Sequence, residues 1–192
     1  MSKSFVHLHA HTEYSMLDGA AKIDDYLDRV KELNQPGAAI TDHGNLYGAL
    51  EFYHSALKKK LIPIIGYEAY VINDSRFDRP DRENNKRYHL TLLAENTVGY
   101  WNLVKMASKA FTEGYYYKPR VDYELLKDHS EGIIALSGCL GGEISQFLAP
   151  DGSVEEGNQE GERSFSKALE KARFYQSIFG ENNFYIELHD HG

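Results

Sequence analysis

The chain has 192 residues, of which 42% are hydrophobic and 26% are charged, so its composition predicts one globular domain rather than a mainly disordered protein. Its 29 acidic and 21 basic residues give a formal net charge of −8, which disfavours nucleic-acid binding across the whole surface. A single Cys excludes an intrachain disulfide. No apolar run reaches the roughly 18 residues of a membrane span, and no secretory signal is visible, so we expect a cytoplasmic protein without a membrane partner.

Short apolar runs alternate with stretches of helical period, which is typical of βα units around a parallel sheet. A first strand is predicted over residues 4–9, a helix over residues 23–33, a second strand over residues 38–41 and a second helix over residues 46–57. Further strands are predicted over residues 62–65, 67–72, 89–94, 133–137 and 184–188, and further helices over residues 98–111 and 164–178. The pattern fits either a βα barrel or an open α/β sheet.

Two segments interrupt this alternation. Residues 73–87 have no apolar period and carry five basic side chains among acids, so they are predicted to form a surface loop. Residues 150–161 are Gly-rich and acidic, and they are predicted to form an exposed connection before the last helix.

Three histidines, His7, His9 and His11, occupy alternate positions of the predicted first strand. Side chains two residues apart on a strand share a face, so the three imidazoles are expected to point one way. A single His is more often a hydrogen-bonded structural residue, but a cluster of imidazoles on one face favours a metal site.

The turn Asp42-His43-Gly44 directly follows the second predicted strand. Loops after the carboxyl ends of strands form the functional sites of α/β folds, so this position favours function. The alternative is a capping turn in which Asp42 caps the next helix and Gly44 supplies a positive φ. That alternative gives His43 no role.

Glu68 interrupts an apolar segment, where a buried carboxylate is costly unless it is paired or binds a metal. We therefore expect Glu68 to meet a cation. Cys139, in the string SGCLGG, again follows a predicted strand, although a lone Cys is as often an inert core residue.

Several strings together resemble the PHP (polymerase and histidinol phosphatase) domain family, and in particular its branch in bacterial replicative DNA polymerases. The strings are FVHLHAHTEYSMLDGAAK, ITDHGN, PIIGYEAYV, HLTLLAEN, GYYYKPR and EGIIALSGCLGGEI. The HxH and DH motifs are shared across the superfamily, whereas EYSMLDGA, YYYKPR and SGCLGGE resemble the polymerase branch. The likeness runs over nearly the whole chain.

The resemblance implies a distorted (βα)7 barrel, here truncated at its C-terminal end, with up to three metals at the carboxyl ends of its strands. The metals implied are Zn2+ or Mn2+, with Fe as a further option. The positions that match metal ligands are His9, His11, Asp18, His43, Glu68, His89 and Cys139. By the same resemblance one metal is shared by Glu68, His89 and Cys139, a second by His9, His11 and Glu68, and a third by Asp18 and His43. His7 and Asp42 are expected beside the ligands, where they would orient them.

The family's last two ligands form an Asp-x-His pair on a later strand, which the resemblance places after residue 192. His189, Asp190 and His191 resemble such a pair but have the order His-Asp-His, so we interpret them as a neighbouring motif. The chain is accordingly expected to be an incomplete PHP domain, followed by the missing strands and the polymerase domains. The isolated chain is expected to bind fewer than three metals and to cut DNA weakly or not at all.

The implied function is hydrolysis of a phosphate ester through His9, His11, His43 and Glu68, giving 3′→5′ exonuclease proofreading in a DNA-directed DNA polymerase. The implied partners are the primer 3′ end of DNA, the remaining polymerase domains and replisome subunits. Two alternatives stay open: a structural platform that no longer cuts DNA, and a stand-alone phosphatase.

The basic loop, residues 73–87, is a candidate for guiding DNA or docking the polymerase body, because it concentrates positive charge on an acidic chain. The alternative is an ordinary solvated loop, since acids are interspersed. The candidate contact residues are Arg76, Arg79, Arg82, Lys86 and Arg87.

Overall fold

A mixed central sheet with helices packed against it forms the fold in the computed structural model, which describes residues 5–81, 84–149 and 159–189. The helices are α1 (Ile23–Glu32), α2 (Ala49–Lys58), α3 (Thr97–Thr112), α4 (Tyr123–Asp128), α5 (Glu143–Leu148) and α6 (Gln159–Phe179). The strands are β1 (Gly37–Ile40), β2 (Ile62–Ile72), β3 (Tyr88–Ala94), β4 (Arg120–Asp122), β5 (Ile133–Leu136) and β6 (Phe184–Tyr185). No helix in the described part of the chain is long and apolar enough to cross a membrane.

Strand β2 is the centre of the sheet. It pairs in parallel with β1 near its start and with β4 near its end, while β3 pairs antiparallel along its other edge. Strand β3 is also antiparallel to β5, and β6 extends the sheet in parallel with β5. The prediction of an all-parallel sheet is therefore wrong at β3. A parallel pair needs a crossover connection, usually a helix, and the described parts of the β2–β3 link contain none.

Two strands were predicted where β2 is continuous, because Gly66 interrupts the apolar run. A Cβ atom at Gly66 would lie 2.3 Å from the carbonyl oxygen of Leu92 on β3. Glycine is therefore required for close approach of the two backbones, and the apparent break marks a packing constraint.

The predicted first strand is not formed. The described residues of that segment run beside β1 but form no regular ladder of hydrogen bonds with it. The Ala39 N–H donates to the His7 carbonyl at 3.3 Å, and the Thr41 N–H donates to the Ala10 carbonyl at 2.9 Å. The donors are two residues apart and the acceptors are three apart. The extra residue forces a bend at Leu8 and His9, which a strict period of two could not predict.

The larger core lies between the sheet and helices α3 to α6, and a second core joins α1, α2 and β1. In α2 the structure buries Phe52 and Ala56, whereas Leu50 and Leu57, which also recur at helical spacing, are exposed. Both faces of α2 carry apolar residues, so the helical period alone did not identify the buried one.

The loop predicted over residues 73–87 is tied to the fold by Arg76, which is only 8% exposed. Its guanidinium donates to the carboxylates of Asp122 at 3.0 Å, Glu113 at 2.7 Å and Glu124 at 3.2 Å. Three carboxylates already neutralise the charge of Arg76, which argues against a role in guiding DNA, and the predicted role in docking the polymerase body stays a prediction.

The other basic residues of this loop differ in their contacts. Arg79 is exposed but donates to the carbonyl oxygens of Arg76, Asp78 and Glu113. Lys86 is exposed and Arg87 is half-buried. Arg82 lies outside the described residues, as do residues 150–158 of the predicted acidic connection.

Candidate metal centre

The centre is built around Glu68, a carboxylate on β2 that is 1% exposed. The turn after β1 continues the pairing with β2: the Glu68 N–H donates to the Asp42 carbonyl at 3.0 Å and the Gly44 N–H donates to the Glu68 carbonyl at 2.8 Å. His43 is thereby fixed beside Glu68. On the other edge, Thr91 of β3 lies opposite Glu68, and His89 lies opposite Tyr70.

Four imidazoles surround the Glu68 carboxylate. Its Oε2 lies 3.4 Å from Nε2 of His9, 3.2 Å from Nε2 of His11 and 3.0 Å from Nδ1 of His43. Its Oε1 lies 3.0 Å from Nδ1 of His89. Residues far apart in the chain thus converge on one buried carboxylate.

Cys139 and Asp18 complete this cluster at opposite sides. The Cys139 Sγ lies 3.6 Å from Glu68 Oε1 and 3.5 Å from His89 Nδ1. The Asp18 Oδ2 lies 2.5 Å from His43 Nε2 and 3.9 Å from His11 Nε2. The rings of His11 and His43 stack with their centroids 4.3 Å apart. All seven predicted ligands therefore lie in one connected cluster.

The two residues predicted beside the ligands have different surroundings. Asp42 is 1% exposed and accepts from the Thr12 N–H and hydroxyl, at 2.6 and 2.7 Å, and from the Ser15 hydroxyl at 2.6 Å. It therefore anchors the loop that follows His11. His7 is exposed, and its ring packs edge-on against Phe5. The structure does not bring His7 to the cluster.

Glu187 fills the place that His7 was expected to take. Its Oε1 lies 2.7 Å from Nδ1 of His9 and 2.7 Å from Nε2 of His189. Sequence reasoning missed it, although a carboxylate inside the apolar strand predicted over residues 184–188 was an available signal. Asp190 and His191, the rest of the Asp-x-His lookalike, lie outside the described residues.

The charges of the cluster stabilise one another in the absence of metal. Burial alone would lower the pKa of His9, but its contacts with Glu187 and Glu68 outweigh burial and raise the pKa to about 10. Burial also lowers the pKa of His89, yet Cys139 and Glu68 raise it to about 9. Burial would raise the pKa of Glu68, but the surrounding imidazoles hold it well below its usual range.

The donor atoms also fit metal ions. Eight buried side-chain atoms have no hydrogen-bond partner within the described part of the chain, and four of them belong to this cluster: His11 Nδ1, His43 Nδ1, Glu68 Oε2 and Glu187 Oε2. Two ligands of a tetrahedral metal bound at about 2.0–2.1 Å lie about 3.3 Å apart, close to the separations around Glu68. Imidazole, thiolate and carboxylate together suit Zn, Mn or Fe.

The described residues contain four groups whose donor atoms lie within 4.8 Å of one another. They are His9 with His11 and Glu68, His11 with Asp18 and His43, His43 with Glu68 and His89, and His9 with Glu187 and His189. The first three share members, so they can form one multinuclear centre. The fourth adjoins it through His9.

Comparisons with known proteins identify the family of the chain. The PHP domain family matches the chain over residues 7–191. DNA polymerase III subunit alpha of Thermus aquaticus is 50% identical over 98% of this chain, and that of Deinococcus radiodurans is 46% identical over 99%. The chain spans only 15% and 14% of the lengths of these relatives.

Among solved structures, an amidohydrolase from Chromobacterium violaceum with bound sulfate and no metal matches with a TM-score of 0.41. It is 17% identical, and the match covers 86% of this chain and 49% of that one. The match of the family over residues 7–191 is the decisive finding. The chain therefore belongs to the PHP domain family.

Proposed function

We propose that the chain carries a metal-dependent phosphodiesterase centre that removes nucleotides from the 3′ end of a DNA strand. The observation that carries this proposal is a 1% exposed carboxylate, Glu68, with four imidazole nitrogens within 3.4 Å. Burying so many ionisable groups together costs desolvation free energy. Imidazole and carboxylate together favour divalent metals, whose binding would compensate for that cost.

The residues that would hold the metals are His9, His11, Asp18, His43, Glu68, His89 and Cys139. When bound, such metals supply Lewis acidity toward phosphoryl oxygens and water. Glu68 contacts both the His9–His11 side and the His89–Cys139 side of the cluster, so it would help to hold a metal on either side. Zn and Mn suit this donor set, and Fe also fits it.

The chemistry of the site relies on positioning by this chain's own residues. Asp42 fixes the loop after His11, and the Asp42–Glu68 backbone pairing fixes His43. Because these side chains are already held in place, little further conformational entropy would be lost when the metals and a phosphodiester bind.

DNA is the proposed substrate because the relatives are DNA polymerase subunits, and the remaining polymerase domains are proposed partners for the same reason. A polymerase adds nucleotides to the 3′ end of the growing DNA strand, so a hydrolytic centre in the same molecule would act on that end. This is the proofreading reaction.

A direct test compares the 192-residue chain with a version extended through the strands that the resemblance places after residue 192. Each is incubated with Zn2+ or Mn2+ and a single-stranded oligonucleotide labelled at its 5′ end. We expect the extended version to shorten the oligonucleotide stepwise from its 3′ end, in a reaction that EDTA abolishes and that a Glu68→Gln variant lacks, and the 192-residue chain to do so weakly. An extended version that holds its metals but releases no nucleotide would contradict the proposal and support the structural-platform alternative.

Glu187 offers a second test of the same centre. Its carboxylate is placed to accept the Nδ1 proton of His9, which leaves Nε2 as the nitrogen that faces Glu68. Residues that orient a metal-binding His in this way contribute about 10–100-fold to metal affinity. We expect Glu187→Ala to weaken Zn2+ binding by about that factor, measured by competition with a chromophoric chelator.

Glu187→Gln keeps an oxygen acceptor and should lose less affinity than the Ala variant. Glu181→Ala removes an exposed carboxylate nearby in sequence and serves as the control. Equal Zn2+ affinity in Glu187→Ala and in the unmodified chain would remove the orienting role.

A further inference from the structure

The loop of residues 114–119 lies at the rim of the proposed metal centre. Pro119 packs so closely on Gly44, next to His43, that a Cβ atom at Gly44 would lie 2.8 Å from its Cγ. The Tyr116 N–H donates to the Lys118 carbonyl at 3.1 Å, and the Arg120 guanidinium donates to the Gly114 carbonyl at 2.9 Å. The loop is therefore held in place from both ends.

Lys118 projects from this loop over Tyr70, with its Nζ 5.2 Å from the ring centroid. The Tyr70 ring stacks on His43 at 5.7 Å and meets His89 edge-on at 5.4 Å. One aromatic ring thus separates the Lys118 ammonium from two of the proposed ligands.

Lys118 differs from other cations of the fold in what it contacts. Lys59 pairs with Asp28, Lys171 with Glu143 and Arg76 with Asp122. Among the described residues, no carboxylate lies within ion-pair distance of Lys118. An exposed cation held only by an aromatic ring is free to bind an anion, because charge-assisted hydrogen bonds exceed exposed cation–π contacts in strength.

Tyr117, the residue before Lys118, presents an exposed ring that meets the Tyr116 ring edge-on, with the centroids 4.7 Å apart. Its side chain is 64% exposed, and its φ of 61° lies in the left-handed region. A bulky residue rarely adopts that backbone conformation, and here the edge contact with Tyr116 leaves most of the Tyr117 ring exposed. The unfavourable backbone conformation of Tyr117 therefore keeps its ring on the surface, where a ligand could contact it.

We propose that Lys118 and Tyr117 form a nucleotide-binding subsite for single-stranded DNA: the ammonium binds a backbone phosphate and the phenol ring stacks on a base. This inference rests on the proposed function and names where its substrate would be held. Aromatic stacking combined with a backbone-binding cation is how proteins hold single strands without reading their sequence. On a chain with net charge −8, a local cation at the site is also what a phosphate requires.

The test measures binding separately from cleavage. The probe is a fully phosphorothioate-linked oligothymidylate labelled with fluorescein, added to the Zn2+-loaded 192-residue chain and followed by fluorescence anisotropy. We expect Lys118→Ala to weaken binding by about tenfold or more and to reduce the salt dependence of log K by about 0.7. We expect Tyr117→Ala to weaken binding by about tenfold and Tyr117→Phe to bind normally.

Controls separate a local effect from misfolding. Lys31→Ala removes an exposed lysine on α1 and should bind the probe as the unmodified chain does. Zn2+ content should be unchanged in all variants, since neither Lys118 nor Tyr117 is a proposed ligand. Three results would each overturn the subsite. They are normal probe binding by Lys118→Ala, equally weakened binding by Lys118→Ala and Lys31→Ala, and no binding of the probe by the unmodified chain.

The binding test of the subsite and the cleavage test of the proposed function can fail independently of each other. If the chain shortens no oligonucleotide yet Lys118→Ala weakens probe binding, the binding subsite stands and the hydrolytic function fails. If the chain shortens oligonucleotides and both variants bind normally, the hydrolytic function stands and the subsite fails.

Discussion

Glu68→Gln is expected to abolish metal binding at the centre. The Glu68 carboxylate is 1% exposed and lies 3.0 to 3.4 Å from the nitrogens of four imidazoles. An amide carries no charge to attract a cation and binds metals weakly. Because even residues that only orient a ligand contribute about 10–100-fold, we expect Zn2+ affinity to fall by more than about 100-fold. Metal analysis after dialysis measures this loss.

A folded variant is needed for that result to be informative. In the metal-free chain, loss of the carboxylate removes one of the contacts that raise the pKa of His9 and of His89. We expect circular dichroism still to show the native fold. Glu170→Gln changes an exposed carboxylate of α6 and should retain all metal. A Glu68→Gln chain that keeps its full metal content would show that Glu68 is a structural ion-pair partner.

Arg76→Gln is expected to lower stability rather than DNA binding. Its guanidinium is 8% exposed and contacts three carboxylates, and one of these, Asp122, is itself only 4% exposed. Breaking one side of a buried ion pair costs about 3–5 kcal/mol. For a chain of this size a loss of about 3 kcal/mol lowers Tm by about 6–12 °C, measured by thermal unfolding followed with circular dichroism.

Arg29→Gln is the matched control. Arg29 pairs with Glu32 on α1, where both side chains are exposed, and such surface pairs contribute less than about 1 kcal/mol. An unchanged Tm for Arg76→Gln, together with weaker DNA binding, would instead support the surface role predicted from charge alone.

Much of the fold could be predicted from local patterns. The helix predicted over residues 98–111 is α3, whose start is fixed by Asn96, which accepts from the N–H groups of Val98 and Gly99. The three-residue strand β4 and the six-residue helices α4 and α5 were missed. Strand β4 and helix α4 meet at Asp122, whose carboxylate caps α4 and also binds Arg76, so both depend on a contact distant in the chain.

The site was predictable where a residue conflicted with its local context. Glu68 stood out as a charge in an apolar strand, and His43 as an imidazole in a turn that a cap alone did not explain. Asp18 and His89 looked ordinary and were found through family resemblance. Glu187 could not be placed, because its contact with His9 depends on the sheet bringing together residues 178 positions apart.

The central claim, that the cluster around Glu68 binds metal, is tested most directly by anomalous X-ray diffraction from crystals of the Zn2+-loaded chain. We predict anomalous peaks within about 2.0–2.1 Å of Glu68 oxygens and of imidazole nitrogens of His9, His11 or His89. Crystals with Zn2+ only elsewhere, and with Glu68 still in direct contact with those imidazoles, would contradict the account.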